Sequence, residues 1–404
     1  MKLAIITAYP PSKVTLNEYA YHLVKSFRKK QEITELVLLT DKTLDNKDIH
    51  FIEQGCKITV KECWQFNSLK NIATVNKAIN SVKPDLVLFN LQFMKFGDNK
   101  VAAALGLTLP LICRLKKIPT IVLLHNILEQ VDLNNAGFTS NKLLQKVYNF
   151  IGTSLTKLIL KADLVSVTMD KYVTTLKEKY NVDNVKMIPH GTFEIPEKPS
   201  HTLPEGALKI MTFGKFGTYK KVESMIEAVE QVRKKTNLNL EIVIAGTDNP
   251  NVPGYLDGVK KNYKHISNIT FTGYVEENEV ETLFKESAVV VFPYTSTTGS
   301  SGVLHQAGSY GKAVVMPNLG DLTTLIEDEG YRGEFFMPEN VNSLANAIEN
   351  LVTNQTHRIS LEKANYKAAT AYPMDKITDI YLDEFAKIKN RKNKTLAFTK
   401  PSII

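Results

Sequence analysis

Short apolar runs alternate with amphipathic segments along most of the chain. The runs KLAII, ELVLL, DLVLF, PTIVLL and DLVSV are rich in aliphatic and β-branched residues, as expected of strands that are buried on both faces. The segments between them have the spacing of amphipathic helices. This alternation predicts an α/β fold with a doubly wound parallel sheet.

The alternation pauses once and then restarts. Residues 192–206, TFEIPEKPSHTLPEG, are proline-rich and have no periodicity, so we predict a linker there. We place one Rossmann-like domain at 1–191 and a second at 207–371. We expect a helix over 372–390 and a loose basic tail over 391–404.

Bulk properties narrow the class of protein. A chain of 404 residues is long enough for two domains. Cys56, Cys63 and Cys113 form no C-x-x-C pair, which favours a reducing cytosol over a disulfide framework. Apolar runs of about 20 residues, which a membrane-spanning helix needs, do not occur. There is also no D-x-D and no His/Cys cluster with metal-ligand spacing, so we expect no metal site.

The positive charge lies in the N-terminal half. The chain carries a formal +8, and residues 1–190 alone carry 26 Lys+Arg against 16 Asp+Glu, or +10. No nucleic-acid-binding motif accompanies this charge, so we expect no nucleic-acid partner. An anionic membrane surface and a general contribution to solubility are the two interpretations left open.

The stretch Ala288–Pro317 has the pattern of strand, small-residue loop, helix, tight turn and strand. Ser300 or Ser301 can serve as the N-cap of the helix, and the first backbone N–H groups then remain available to an anion. Loops at the carboxyl ends of parallel strands are where open α/β sheets bind ligands. We predict a phosphate-bearing ligand here; an ordinary βα turn is the alternative.

A second loop of this kind follows the first strand of the second domain. In TFGKFGTYKK, Gly214 and Gly217 allow the backbone to approach a ligand closely. Lys215 and Lys220, five residues apart, can both turn toward a diphosphate. The alternative is that they are ordinary surface lysines.

Three motifs together resemble a known family. IPHG, FGKFGTYKK and PYTSTTGSSGVLHQA occur in the order and approximate spacing of retaining nucleotide-sugar glycosyltransferases. The chain resembles glycosyltransferase family 4, also called group 1, which has the GT-B fold. The resemblance implies two Rossmann-like domains that face a cleft. It places the acceptor mainly on the first domain and the nucleotide sugar mainly on the second, with the last helix crossing back to the first domain.

The resemblance also implies roles for individual residues. Lys215 and Lys220 fall where the family binds the donor diphosphate, and His125 falls beside the transferred sugar. A loop-stabilising hydrogen bond is the alternative for His125, and a structural role near the hinge is the alternative for His190. The donor-binding positions that the resemblance implies are Gly214, Gly217, Thr298, Gly299, Ser300, Ser301, Gly302, Val303, Gln306 and His190.

The chain departs from the family at several positions. The two family glutamates fall on Thr298 and Gln306, which hydrogen-bond without charge assistance. The Gly-Gly of the first turn is replaced by Val14 and Thr15. The two leading functions are therefore an active glycosyltransferase and a catalytically silent GT-B protein that serves as a partner or binding module. A nucleotide-sugar epimerase shares the GT-B fold and matches the motifs less well. A two-Rossmann oxidoreductase fits poorly, because the first βα turn contains no glycine.

For an active enzyme, the resemblance implies transfer of a hexose with retained configuration and without a metal or other cofactor. The acceptor would be a saccharide or a lipid-linked or protein-linked group, in the assembly of a surface polysaccharide, glycolipid or glycoconjugate. The expected location is the cytoplasm, including the inner face of the membrane.

The segment Asn141–Lys161 bears on that location. Projected at about 100° per residue, its apolar stripe is predicted to face the core, opposite a basic face in which Leu143, Phe150 and Leu160 are embedded. Such a face is compatible with binding to anionic lipid; a solvated surface helix is the alternative. The apolar stripe is Leu144, Val147, Ile151, Leu155 and Leu158, and the lysines are Lys142, Lys146, Lys157 and Lys161.

Overall fold

The computed structural model describes residues 1–12, 14–43, 49–93, 95–97, 99–127, 142–249, 251–296 and 301–398. The chain divides into two compact units. The first comprises Met1–His190 and the chain from Met374 onward, and the second comprises Gly191–Pro373.

The first unit is built on an eight-stranded sheet. Its strands are β1 (Lys2–Ile6), β2 (Glu35–Asp41), β3 (Ile49–Glu53), β4 (Cys56–Trp64), β5 (Leu86–Leu91), β6 (Thr120–Leu124), β7 (Leu164–Val167) and β8 (Val185–Met187). Their order is β3-β4-β2-β1-β5-β6-β7-β8, and every pair is parallel except β3 with β4. The strands read as continuous apolar runs because helices cover both faces.

The helices of the first unit include the last helix of the chain, which packs against the first. They are α1 (Asn17–Phe27), α2 (Asn71–Val82), α3 (Lys100–Leu107), α4 (Leu109–Leu115), α5 (Lys142–Ile159), α6 (Asp170–Tyr180) and α14 (Met374–Phe398). α14 takes in residues for which the sequence predicted a loose tail. Its buried residues, Ile377, Tyr381, Phe385 and Ile388, recur every three or four positions and hold the helix against the unit.

The second unit has a six-stranded sheet that is parallel throughout, in the order β11-β10-β9-β12-β13-β14. Its strands are β9 (Leu208–Phe216), β10 (Leu240–Asp248), β11 (Ile269–Gly273), β12 (Ser287–Val291), β13 (Ala313–Pro317) and β14 (Glu334–Phe336). Its helices are α7 (Glu223–Thr236), α8 (Tyr255–Asn262), α9 (Glu277–Glu286), α10 (Gly302–Ser309), α11 (Gly320–Glu329), α12 (Val341–Thr353) and α13 (Gln355–Ala371).

Each sheet has a point at which the strand order reverses. In the first unit it lies between β1 and β5, and in the second between β9 and β12. At such a switch point the loops leave the carboxyl ends of neighbouring strands in opposite directions and open a crevice for ligands. The loops predicted to carry chemistry are therefore next to each other within each unit.

The orientation predicted for α5 differs from the observed one in the second half of the helix; the side chains of Leu143, Leu144 and Val147 lie outside the described ones. Ile151, Leu155 and Leu158 are half-buried, whereas Thr156 and Ile159 are fully buried. Leu160, predicted to lie among the lysines, is also buried, but Phe150 is 74% exposed as expected. The helix packs against α3 and α4, and its buried residues include Gly152 and Thr156. Small residues allow close backbone approach, so the most apolar stripe need not be the buried one.

Candidate functional site

Two loops meet at the switch point of the second unit. The loop after β9 and the loop after β12 are joined by backbone hydrogen bonds from Lys221 N to Pro293 O (3.2 Å) and from Thr295 N to Tyr219 O (2.8 Å). Lys220 and Tyr294 form an isolated antiparallel bridge between the same loops. The two loops therefore form one surface at the carboxyl edge of the sheet.

Lys220 lies at the centre of this surface. Its ammonium is 4.8 Å from the ring centroid of Tyr294 and 5.9 Å from that of Tyr219. Its Nζ makes no hydrogen bond or ion pair with any residue that the structure describes. Burial lowers the pKa of Lys220, and Tyr219 acts in the opposite direction. A half-buried cation with unfilled donors is prepared to receive an anion.

Glycines shape the space around that ammonium. A Cβ added at Gly214 would lie 2.9 Å from Lys220 Nζ, and the backbone there has a φ of 139°. A Cβ at Gly246, its neighbour on β10, would lie 1.9 Å from Gly214 O. Gly217 has a φ of 108° and packs against the ring of Tyr255. The end of β9 can thus be reached closely by a ligand only while these positions lack side chains.

The other predicted donor residues are partly described. Lys215 is exposed next to Gly214. Ser301 is the N-cap of α10, but its side chain makes no capping hydrogen bond, and Gly302, Val303 and Gln306 follow in the helix. Thr298, Gly299 and Ser300 lie outside the described residues. The two predicted lysine positions and the start of α10 therefore belong to the loops of one switch point.

His125 lies at the carboxyl edge of the first unit, directly after β6. Its Nε2 is 2.7 Å from Asn90 Oδ1, and Asn90 Nδ2 donates to Thr7 Oγ1 at 3.0 Å. Because that donor fixes the amide orientation, His125 Nε2 carries the proton and Nδ1 is an acceptor in the neutral ring. Burial, His190 and Lys95 all lower the pKa of His125. The ring is therefore held neutral.

His190 belongs to the same aromatic group. The Tyr19 ring contacts His125 and His190 edge-on, with centroids 4.6 and 4.8 Å apart. The Tyr19 hydroxyl donates to His190 O at 2.9 Å. In the structure His190 lies at the end of the first unit, beside His125.

The sequence interpretation missed Lys95, which lies in the loop after β5. Its side chain is completely buried, and Nζ donates to Thr15 O at 2.8 Å. It also lies over Trp64. Burial lowers the pKa of Lys95 to about 7, against a smaller opposing effect of Asp41. Lys95 thus joins the loops after β1 and β5 at the switch point of the first unit.

Asp41, at the end of β2, was missed as well. Its Oδ2 accepts from Ser12 Oγ at 2.6 Å, whereas its buried Oδ1 has no hydrogen-bond partner in the part of the chain that the structure describes. Burial raises the pKa of Asp41. Asp41 binds Ser12 and Lys95 binds Thr15, and these two contacts hold the β1–α1 loop in place.

The second unit matches a known family. Residues 207–354 fit its profile. That family is described as "Glycosyl transferases group 1". The match begins just before β9, and it includes Lys215, Lys220 and α10. No curated protein sequence matches the chain.

Solved structures resemble nearly the whole chain. A sucrose-phosphate synthase from Thermosynechococcus elongatus has a TM-score of 0.72 at 15% identity, covering 96% of this chain and 100% of its own. Anabaena HepE in complex with UDP-glucose has a TM-score of 0.68 at 15% identity, covering 96% and 100%. The trehalose-6-phosphate synthase OtsA has a TM-score of 0.69 at 10% identity, covering 96% and 99%. At such identities the likeness shows the fold, and the α/β, GT-B prediction is confirmed.

Two further properties concern only the described part of the chain. It contains no group of three or more His, Cys, Asp or Glu side chains that could hold a metal ion. None of its helices is long and apolar enough to cross a membrane.

Proposed function

We propose that the protein is a metal-independent retaining glycosyltransferase that moves a hexose from a nucleotide-sugar donor to an acceptor. The observation that carries the proposal is the Lys220 ammonium, which lies beside Gly214 without an anionic partner among the described residues. It lies inside the segment that matches the group 1 family. HepE, one of the structural neighbours, has been solved with UDP-glucose.

The donor diphosphate would bind between the lysines and the start of α10. When the glycosidic bond breaks, negative charge grows on the leaving diphosphate. Lys220, Lys215 and the first N–H groups of α10 stabilise that charge electrostatically, in a site that is already organised before the reaction. Because these groups are cations and a helix N-terminus, the residues supply the charge stabilisation themselves.

The acceptor would bind at the carboxyl edge of the first unit, beside His125. Positive charge develops on the sugar in the transition state, and the neutral His125 ring adds no opposing positive charge. Its Nδ1 can accept a hydrogen bond from a sugar hydroxyl. We propose a saccharide, lipid-linked or protein-linked acceptor, in assembly of a surface polysaccharide, glycolipid or glycoconjugate.

The first experiment is a calorimetric binding panel of UDP, GDP, ADP, dTDP and CMP. We expect one nucleoside diphosphate to bind, and Lys220→Ala to weaken it about 10- to 100-fold, because a hydrogen bond to a charged group is lost. Lys234→Ala is the matched control. It removes an exposed lysine from the last turn of α7, about 17 Å along the helix from its first residue, Glu223.

Both variants are first checked for an unchanged melting temperature. If none of the nucleotides binds to the wild type, the donor-site proposal is wrong. If a nucleoside diphosphate binds, the corresponding nucleotide sugar is then supplied. Release of the nucleoside diphosphate measures hydrolysis or transfer.

One observation favours a catalytically silent GT-B protein as the second candidate. Gln306 occupies the position of a family glutamate on α10, and its amide lacks the charge of a carboxylate. This candidate predicts nucleotide binding without turnover of any nucleotide sugar. Turnover that Lys220→Ala abolishes would exclude it.

We also propose peripheral attachment of the first unit to the inner face of the membrane. The exposed side chains of Phe150 and Lys157 on α5 lie on the unit that also exposes Leu115 at the end of α4. Exposed aromatic and aliphatic groups next to lysines suit an anionic lipid surface. Sedimentation with phosphatidylglycerol vesicles tests this: Phe150→Ser together with Lys157→Glu should abolish binding, and binding that survives both changes would contradict it.

A further inference from the structure

Tyr294 lies at the point where the two loops of the second unit meet. Its side chain is 3% exposed. Its backbone forms the bridge with Lys220, and its N–H donates to Phe292 O at 2.8 Å. The residue therefore has a fixed backbone on the strand side of the loop, just before the small-residue segment that leads to α10.

The ring of Tyr294 is the nearer of two aromatic surfaces that face the Lys220 ammonium. The Tyr294 and Tyr219 centroids are 5.5 Å apart with planes at 87°, and Phe292 contacts Tyr294 edge-on from another side at 5.4 Å. Neighbours on two sides restrict the orientation of the Tyr294 ring. An aromatic face attracts a cation most strongly where water is excluded, so this ring holds the ammonium next to Gly214.

The hydroxyl of Tyr294 interacts electrostatically with Ser301, the N-cap residue of α10. It is buried and makes no hydrogen bond within the described residues. Burial raises the pKa of Tyr294, and the Ser301 side chain lowers it, which indicates that the hydroxyl and Ser301 are close. One side chain thus contacts Lys220 through its ring and approaches the helix N-terminus through its hydroxyl.

We propose that Tyr294 is a positioning residue that places the Lys220 ammonium for the donor diphosphate and so gives the site its preference for nucleoside diphosphates over monophosphates. The inference rests on the proposed function. Without the ring, a flexible lysine side chain would have to be ordered by the ligand itself, which costs binding free energy. The nucleoside part of the ligand, which does not contact the ammonium, would be affected less.

The experiment measures the diphosphate preference, defined as the dissociation constant of a nucleoside monophosphate divided by that of its diphosphate. The probes are the pairs UDP/UMP, GDP/GMP, ADP/AMP and dTDP/dTMP, titrated by calorimetry into the 404-residue protein. We expect Tyr294→Leu to lower the preference about tenfold, as expected for loss of a desolvated cation–π contact. Tyr294→Phe keeps the ring and should lower it less than about threefold.

Two further variants complete the design. Tyr274→Leu is the control, because Tyr274 follows β11 and is 72% exposed; the preference should not change. Replacement of Tyr294 by 3,4,5-trifluorophenylalanine keeps the ring shape and weakens its attraction for a cation. It should lower the preference about threefold relative to Tyr294→Phe, and it decides the question if Tyr294→Leu does not fold.

Each result has one meaning. A wild-type preference that persists in the folded Leu and trifluorophenylalanine variants would overturn the inference. Equal weakening of monophosphate and diphosphate binding would also overturn it, because a merely structural residue behaves in that way. A wild type that binds no nucleotide would instead overturn the proposed function.

Discussion

Each sheet has a lysine at its switch point, and the two lysines differ in burial and in hydrogen-bond partners. Lys95 in the first unit is completely buried and donates to Thr15 O. Lys220 in the second unit lies over aromatic rings, next to a glycine, and has no anionic partner among the described residues. One lysine stabilises a loop, and the other is available to a ligand.

The difference shows how the same topology can present two kinds of surface. At the first switch point His125 is hydrogen-bonded to Asn90, and Asp41 to Ser12, so these polar side chains already have partners within the protein. At the second switch point Gly214 leaves space beside the Lys220 ammonium, and the Ser301 side chain does not cap the start of α10. The first edge suits hydroxyl groups, and the second suits phosphates.

The largest expected effect is that of a substitution at the first edge, which should lower turnover and leave nucleotide binding at the second edge unchanged. We expect His125→Ala to lower donor turnover about 100-fold, because the proposed function places this fixed polar group beside the reacting sugar. Binding of the nucleoside diphosphate should stay within about twofold of the wild type, since His125 lies in the other unit. A His125→Ala variant that loses nucleotide affinity as strongly as turnover would contradict this separation.

A smaller effect is expected from the glycine beside Lys220. We expect Gly214→Ala to weaken diphosphate binding about tenfold, because the new methyl group would lie 2.9 Å from the ammonium and displace it, at a backbone φ of 139° that disfavours a side chain. Calorimetry measures this loss. Gly258→Ala on α8 is the control, because a Cβ there meets no atom within 4 Å. Unchanged affinity in Gly214→Ala would show that the ammonium is not held there.

The smallest effects concern stability, and they have opposite signs in the two units. Burial lowers the pKa of Lys95 to about 7 and raises the pKa of Glu329, in the second unit, to about 8. Above pH 7 the unfolded state keeps a proton that folded Lys95 loses, so stability rises with pH up to about 10. Between pH 4.5 and 8 folded Glu329 keeps a proton that the unfolded state loses, so stability falls as pH rises.

Urea unfolding of Lys95→Met and Glu329→Gln at several pH values tests both signs. Relative to Lys95→Met, the wild type should gain about 2 kcal/mol between pH 7 and 9. Relative to Glu329→Gln, it should lose about 3 kcal/mol between pH 5 and 8. Lys234→Met is the control for an exposed lysine. Parallel curves for a variant and the wild type would mean that its buried group does not titrate as described.

Periodicity predicted most of the fold, and failed where polar residues are buried. The strands of both sheets are apolar runs, but α13 was not predicted. It buries Arg358, Glu362 and Asn365, whose side chains pair with each other or with backbone groups. Such a helix lacks a clear apolar stripe, so the sequence pattern does not reveal it.

The candidate site was predictable on the side where motifs are local. Gly214, Lys215 and Lys220 lie within seven residues of one another, so their relation is visible in the sequence. Lys95 and Asp41 come from separate loops and meet Thr15 and Ser12 only through folding. A lysine is usually exposed, and nothing in the local sequence FMKFG indicates complete burial. Asn90, a polar residue inside the apolar strand DLVLFN, was the one sequence feature that indicated polar contacts at this edge of the sheet.

The proline-rich segment has a consequence for where the chain can be cut. Pro199 packs on Gly311, where a Cβ would lie 2.4 Å from the proline ring, and His201 Nδ1 is 2.9 Å from Glu362 Oε2. Thr192 N donates to Tyr372 O at 2.9 Å. Residues 192–206 therefore pack against the second unit and belong to it. A fragment that began at residue 207, where the family match begins, would lack these contacts. A fragment of residues 191–373 would keep them and is the one to express alone.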